Sequence, residues 1–124
     1  MPFIPPNAKW YLADIVIEYI IQDEPDRLVH TNLILIRADS PEEAYQKALI
    51  VGHAYETIYS NSEGKRVTET FKGLHGLNVI HEELQHGAEL AYQKHVGMSD
   101  QELAAWIRPK ERLNVFRDGK VGTE

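Results

Sequence analysis

The stretch Trp10-Tyr11-Leu12-Ala13-Asp14-Ile15-Val16-Ile17-Glu18-Tyr19-Ile20-Ile21 decides how this chain folds. Its β-branched and aromatic side chains fit a pleated, half-buried surface and favour strand. On a strand, successive side chains point to opposite faces. One face then holds Tyr11, Ala13, Ile15, Ile17, Tyr19 and Ile21 without a charge, while the other holds Trp10, Leu12, Val16 and Ile20 interrupted by Asp14 and Glu18. The uncharged face is a core face and the other is mixed.

Working outward, Gln22-Asp23-Glu24-Pro25-Asp26 is a polar, proline-containing connection of hairpin length, and Leu28 to Ala38 supplies a second strand centred on Leu33, Ile34, Leu35 and Ile36. An antiparallel hairpin follows. Ser40 then stands at an N-cap, with Pro41 at the first helical position and Glu43 three residues on, which combines a capping box with the proline preference of a helix start. Ala44, Ala48, Val51, Tyr55 and Ile58 recur at helical spacing, widened by Tyr45, Leu49 and Gly52, and Glu43 with Lys47 makes an i,i+4 pair on the wet side. The helix is expected to end near Tyr55 and to lie across the hairpin.

Farther on, Asn61-Ser62-Glu63-Gly64 is a turn, and Arg66 to Lys72 alternates as a third strand with a possible partner in Glu56 to Tyr59. Gly73 and Gly76 bracket Leu74-His75 in an expected loop. Leu77 to Leu84 fits strand and helix alike. Glu89 to His95, bounded by Gly87 and Gly97, fits helix by propensity and strand by its Leu90, Tyr92, His95 and Val96 content, and strand is the preferred reading. Ser99 with Glu102 repeats the capping box and opens a short helix through Trp106 and Ile107 that Pro109 stops, after which Leu113 to Phe116 reads as a last edge strand. These elements predict an α+β fold: a mainly antiparallel sheet with one long helix packed on one face and a short C-terminal helix. Its expected organisation is an N-terminal arm over residues 1–9, one domain over 10–116 and a polar tail over 117–124.

Composition narrows the function classes. A chain of 124 residues that is 43% hydrophobic and 26% charged is long enough for one real core. With no cysteine, disulfides, thiolate metal sites and cysteine nucleophiles are excluded. Met1 to Asn7 has neither a basic region nor an apolar run of signal-peptide length, and nothing approaches a membrane span, so a cytoplasmic protein without a membrane partner is expected. The net charge of -6, with its cations dispersed, repels a phosphate backbone and argues against nucleic acid.

The combination Trp10-Tyr11-Leu12-Ala13-Asp14-Ile15-Val16, Ala38-Asp39-Ser40-Pro41-Glu42-Glu43-Ala44-Tyr45, Phe71-Lys72-Gly73-Leu74, Gly87-Ala88-Glu89-Leu90 and Arg108-Pro109-Lys110-Glu111-Arg112-Leu113 resembles the DUF4288 family of small bacterial domains, in order, from Trp10 to Phe116. The resemblance implies a bacterial single-domain protein. It brings no catalytic residues, no cofactor and no assigned activity.

The residues themselves hold few constellations that carry chemistry. His81-Glu82-Glu83-Leu84-Gln85-His86 sets its histidines five apart, ~140° around a helix, where the zincin motif needs four. A loop-borne metal site using His75, His81, His86 and Glu82 is the alternative that survives, as a small metal-binding protein or metal-assisted hydrolase. Asp14 and Glu18 stand ~13 Å apart along a strand, too far for a two-carboxylate mechanism, and solubility, or pairing with Arg37 or His30 of the next strand, is their simpler role. No serine sits in a nucleophile elbow. No cofactor is expected.

The second face of the first strand lacks a cover. One helix occupies one side of the sheet, so Trp10, Leu12, Val16 and Ile20 are met either by the C-terminal segment carrying Trp106 and Ile107 or by a second copy. The expected function is a non-catalytic binding or protein-interaction module that self-associates, with Phe3, Ile4, Trp10, Asp14 and Glu18 on the contact face. Its protein partner, beyond a second copy, is left open.

Overall fold

A computed structural model describes residues 7–117. Contacts divide the chain into two compact units, meeting between Tyr92 and Gln93.

The first unit is an antiparallel sheet of four strands in the order β2-β1-β4-β3, with β1 Trp10–Ile21, β2 Leu28–Arg37, β3 Thr57–Ser60 and β4 Arg66–Val79, and a helix α1 Pro41–Ala54 between β2 and β3. β1 lies at the centre because it is apolar on one face and tolerable on the other. Its register with β2 runs unbroken from Trp10 opposite Arg37 to Tyr19 opposite Leu28. The expected face assignment holds: Tyr11, Ala13, Ile15 and Ile17 are buried in the core with Ile36, Phe71 and the helix residues Ala44 and Ala48. We call this the inner face.

Small residues set the helix close to the sheet. Its buried stripe is Ala44, Ala48 and Gly52, while Tyr45 is exposed and Ile58 lies on β3, also exposed. A methyl group at Gly52 would come within 2.6 Å of the Phe71 ring, so the ring packs directly on the helix backbone. Ser40 Oγ accepts the Glu43 N–H at 3.1 Å, as the capping signal predicts, but Glu43 returns its carboxylate to the N–H of Asp39, one residue earlier than in the usual box. Glu43 and Lys47 form the expected ion pair at 3.2 Å.

The expectation of one long helix over the sheet is cut back. The segment closes after 14 residues at Ala54, with Tyr55 as its cap, and the architecture is an antiparallel sheet with short helices. The loop expected at Gly73 to Gly76 is also corrected: β4 continues straight through both glycines to Val79. Two β-bulges allow this, because the pairing steps from Asp14–Gly76 to Ile15–Leu74 and from Val16–Gly73 to Ile17–Phe71, leaving His75 and Lys72 as the extra residues. Gly73 takes φ +136, a conformation open to glycine and rare for other residues.

From Ile80 the chain is irregular as far as Ser99. The strand expected over Glu89 to His95 is absent, since strand propensity without a partner strand leaves the backbone unpaired.

The second unit holds α2 Asp100–Trp106 and α3 Asn114–Arg117, joined by a 3-10 turn at Lys110–Arg112. The capping box at Ser99 and Glu102 forms as expected, both bonds present. The edge strand expected over Leu113 to Phe116 is instead a helical turn, closed by Phe116 and Arg117 N–H groups donating to the Leu113 carbonyl. Rings of His95 and Trp106 approach to 5.1 Å, and Trp106 and Ile107 are exposed.

Candidate functional site

The mixed face of β1, here the outer face, holds the most organised chemistry of the first unit. Antiparallel partners share a face, so the register assigns Trp10, Leu12, Asp14, Val16, Glu18 and Ile20 of β1, with Val29, Thr31, Leu33, Leu35 and Arg37 of β2, to this side.

Its two carboxylates are each met by a base, though not by the bases expected. Glu18 is 8% exposed, the one charged residue among those buried in the described chain. Its Oε2 accepts from Arg27 Nη1 at 3.1 Å, and Lys72 Nζ stands 3.9 Å from Oε1. Asp14 Oδ2 lies 3.8 Å from His75 Nδ1. Lys72 and His75 are the two extra residues of the bulges. Each bulge therefore brings a basic side chain within 4 Å of an acid of the central strand, Lys72 to Glu18 at 3.9 Å and His75 to Asp14 at 3.8 Å, the kind of re-aiming bulges permit. Gly76 completes the fit, since a methyl group there would sit 2.9 Å from Asp14 Oδ2.

Arg37 and His30 do not pair with Asp14 or Glu18. The Arg37 guanidinium lies over the Trp10 ring at 5.7 Å, and His30, opposite Ile17 on the inner side, packs its ring 4.7 Å from Tyr19.

Between and beside these acid–base contacts the outer face is apolar and open. Leu33 is 62% exposed, Val29 and Ile20 50% each and Leu35 41%, although Leu12 is buried. Of the residues expected on the contact face, Trp10, Asp14 and Glu18 share this side, and Phe3 and Ile4 lie outside the described residues.

The four expected metal ligands are not assembled. His81 and Glu82 line a cleft of about 360 Å³ with Lys9, Trp10, Arg37 and Glu83. His75 sits on β4 beside Asp14, and His86 is exposed in the irregular segment, where Glu82 accepts the Glu89 N–H at 3.3 Å. Among the described residues no group of three or more His, Cys, Asp or Glu side chains is placed to hold a metal ion. No described helix is long and apolar enough to cross a membrane.

Three features escaped the sequence reading: Arg27, the bulge bases Lys72 and His75, and the open Val29-Leu33-Leu35 row. The signal for the bulges was present, because isolated glycines inside a strand-like pattern mark bulges. Here Lys72-Gly73 and His75-Gly76 repeat a basic residue before each glycine.

Sheet, helix and paired outer face together define a small α+β domain. The chain belongs to the DUF4288 family, described as a domain of unknown function, whose match spans residues 10–92. The match ends where the first compact unit ends, short of the Arg108 to Leu113 segment that shared in the resemblance. No curated protein and no solved structure matches the chain significantly.

Proposed function

We propose that the protein is a non-catalytic binding and protein-interaction module that self-associates through the outer face of its sheet, working as a bacterial cytoplasmic homodimer. The observation that carries this reading is the open apolar row of Val29, Leu33 and Leu35 beside the Asp14–His75 and Glu18–Arg27–Lys72 pairs. Contiguous apolar surface rimmed by polar groups marks association sites, and charged pairs at its border favour one orientation over others.

Arg27 holds Glu18 at 3.1 Å, while Lys72 at 3.9 Å from Glu18 and His75 at 3.8 Å from Asp14 stand beyond hydrogen-bond reach, an arrangement that suits recognition better than proton transfer. A general base needs hydrogen-bond reach to its proton, and the Asp14–His75 approach of 3.8 Å lies beyond it. Size-exclusion chromatography with light scattering is the test. A dimer mass at high micromolar concentration is expected, and a monomer there overturns the reading.

A further inference from the structure

We infer that the free edge of β2 pairs antiparallel with β2 of a second copy, about a two-fold axis at Leu33, joining two sheets into one of eight strands. This rests on the self-association reading and places the contact at the edge of the sheet rather than across its outer face, so that the outer rows of the two copies become neighbours on one side of the joined sheet.

The phase of the β1–β2 ladder supplies the first observation. Ala38 N–H donates to the Lys9 carbonyl at 2.8 Å, so positions 9 and 38 form a hydrogen-bonded pair. In an antiparallel ladder such pairs alternate with pairs that exchange no bond. Ile36 and Ile34 therefore spend their backbone groups on Tyr11 and Ala13, while Val29, Thr31, Leu33, Leu35 and Arg37 direct theirs away from the sheet. The other side of β1 agrees: Ile80 N–H donates to Trp10 and Gln22 N–H to Arg66, so the even residues of β1 bond to β4. The outward backbone groups of β2 thus belong to the same residues whose side chains form the open outer row.

The second observation is that this edge is lightly protected: only at its Arg37 end does the helix intervene, where Lys47 Nζ donates to the Arg37 carbonyl at 2.7 Å. Natural edges are blunted by shortness, lysine, proline, bulges or inward charges. β2 has ten residues, an unbroken register and neither lysine, proline nor acid from Arg27 to Ala38. The opposite edge, β3, is blunted by its length of four residues.

Self-complementarity then selects a second copy as the occupant. A two-fold axis normal to the sheet keeps both outer faces on one side and requires odd residues to meet odd residues, so outward donors meet outward acceptors. Centred on Leu33, the pairing sets Leu33 against Leu33, Leu35 against Thr31 and Val29 against Arg37, and it brings Asp39 opposite Arg27 of the second copy. Centring one residue earlier sets Arg37 against Arg27 instead, like charge against like, which is destabilising. Of these two registers the axis at Leu33 is the one without that clash.

The absence of cysteine makes the test direct. Leu33→Cys is introduced into the full chain and oxidised, with Ile58→Cys on the exposed β3 edge as the comparison. Hydrogen-bonded antiparallel partners lie about 5.5 Å apart at Cα, within disulfide reach. Most of the Leu33→Cys protein is expected to run as a covalent dimer on non-reducing gels, with Ile58→Cys remaining monomeric there. Leu33→Lys, read by light scattering with its fold checked by circular dichroism, is expected to weaken the dimer at least about tenfold, since a lysine at an edge is a standard block to pairing. A protein that is dimeric in solution while Leu33→Cys links no better than Ile58→Cys sinks the edge pairing and leaves self-association standing. A monomeric parent protein sinks both.

Discussion

The two faces of β1 divide its twelve residues, six to each, and follow opposite rules. On the inner face, size is constrained: Ile15 and Ile17 are fully buried, and the helix above them is small-faced so that Phe71 reaches its backbone at Gly52. On the outer face, charge is constrained and size is not: Glu18 and Asp14 have assigned partners while Leu33 and Leu35 stand open. The difference separates what folds the domain from what it presents. A core face is already filled by its own chain, whereas an ion-paired face with apolar gaps is complete in charge and incomplete in burial.

Substitutions can break that separation. Ile17→Ala is expected to have the largest effect, costing about 2–5 kcal/mol in urea unfolding, as for other large-to-small changes at fully buried sites. Gly52→Ala comes next, costing about 1–3 kcal/mol through overpacking against Phe71, and Phe71→Leu in the same chain is expected to recover part of it. On the outer face, Arg27→Ala removes the nearer partner of the almost buried Glu18 and is expected to cost about 1 kcal/mol, with Lys72 left at 3.9 Å as partial compensation. A loss at Arg27 as large as that at Ile17 would show that the outer face also holds the fold.

Acid sharpens the same contrast. The hydrogen bond with His53, and then the Phe71 N–H, hold the Glu56 carboxyl below its ordinary range, and the Asp39 N–H with Lys47 does the same for Glu43. A lowered folded-state pKa contributes stability that is present above the ordinary carboxylate range and lost as pH falls through the lowered value. Thermal melts are expected to decline below about pH 4, with the decline shallower in Glu56→Gln. The smallest stability effect is expected at Leu33→Thr, within about 0.5 kcal/mol for the monomer, because the site is exposed.

Legibility followed the same divide. The β1 alternation, the hairpin and both capped helix starts were readable because each rests on local chemistry: period two, a polar turn, or a serine followed by a glutamate. β4 was readable only to Lys72. Its inner-face residues come at Phe71, Leu74 and Leu77, a spacing of three that matches no regular strand, since each bulge shifts the phase by one. The partners of Asp14 and Glu18 were missed for that reason, as two of them are the bulge residues. At Glu89 to His95 and Leu113 to Phe116, apolar composition suggested strands, but pairing is a property of the whole sheet and no local pattern supplies it.

The bulges also give the chain slack in its length. Removing His75 or Lys72 would close a bulge while every other β4 residue kept its present partner on β1. A single deletion within β1, whose register with β2 has no such slack, would turn every later side chain to the wrong face. Shortening β4 is thus tolerable at two places, and at each it takes away one of the bases that answer Asp14 and Glu18. Length and charge on this strand change together or not at all.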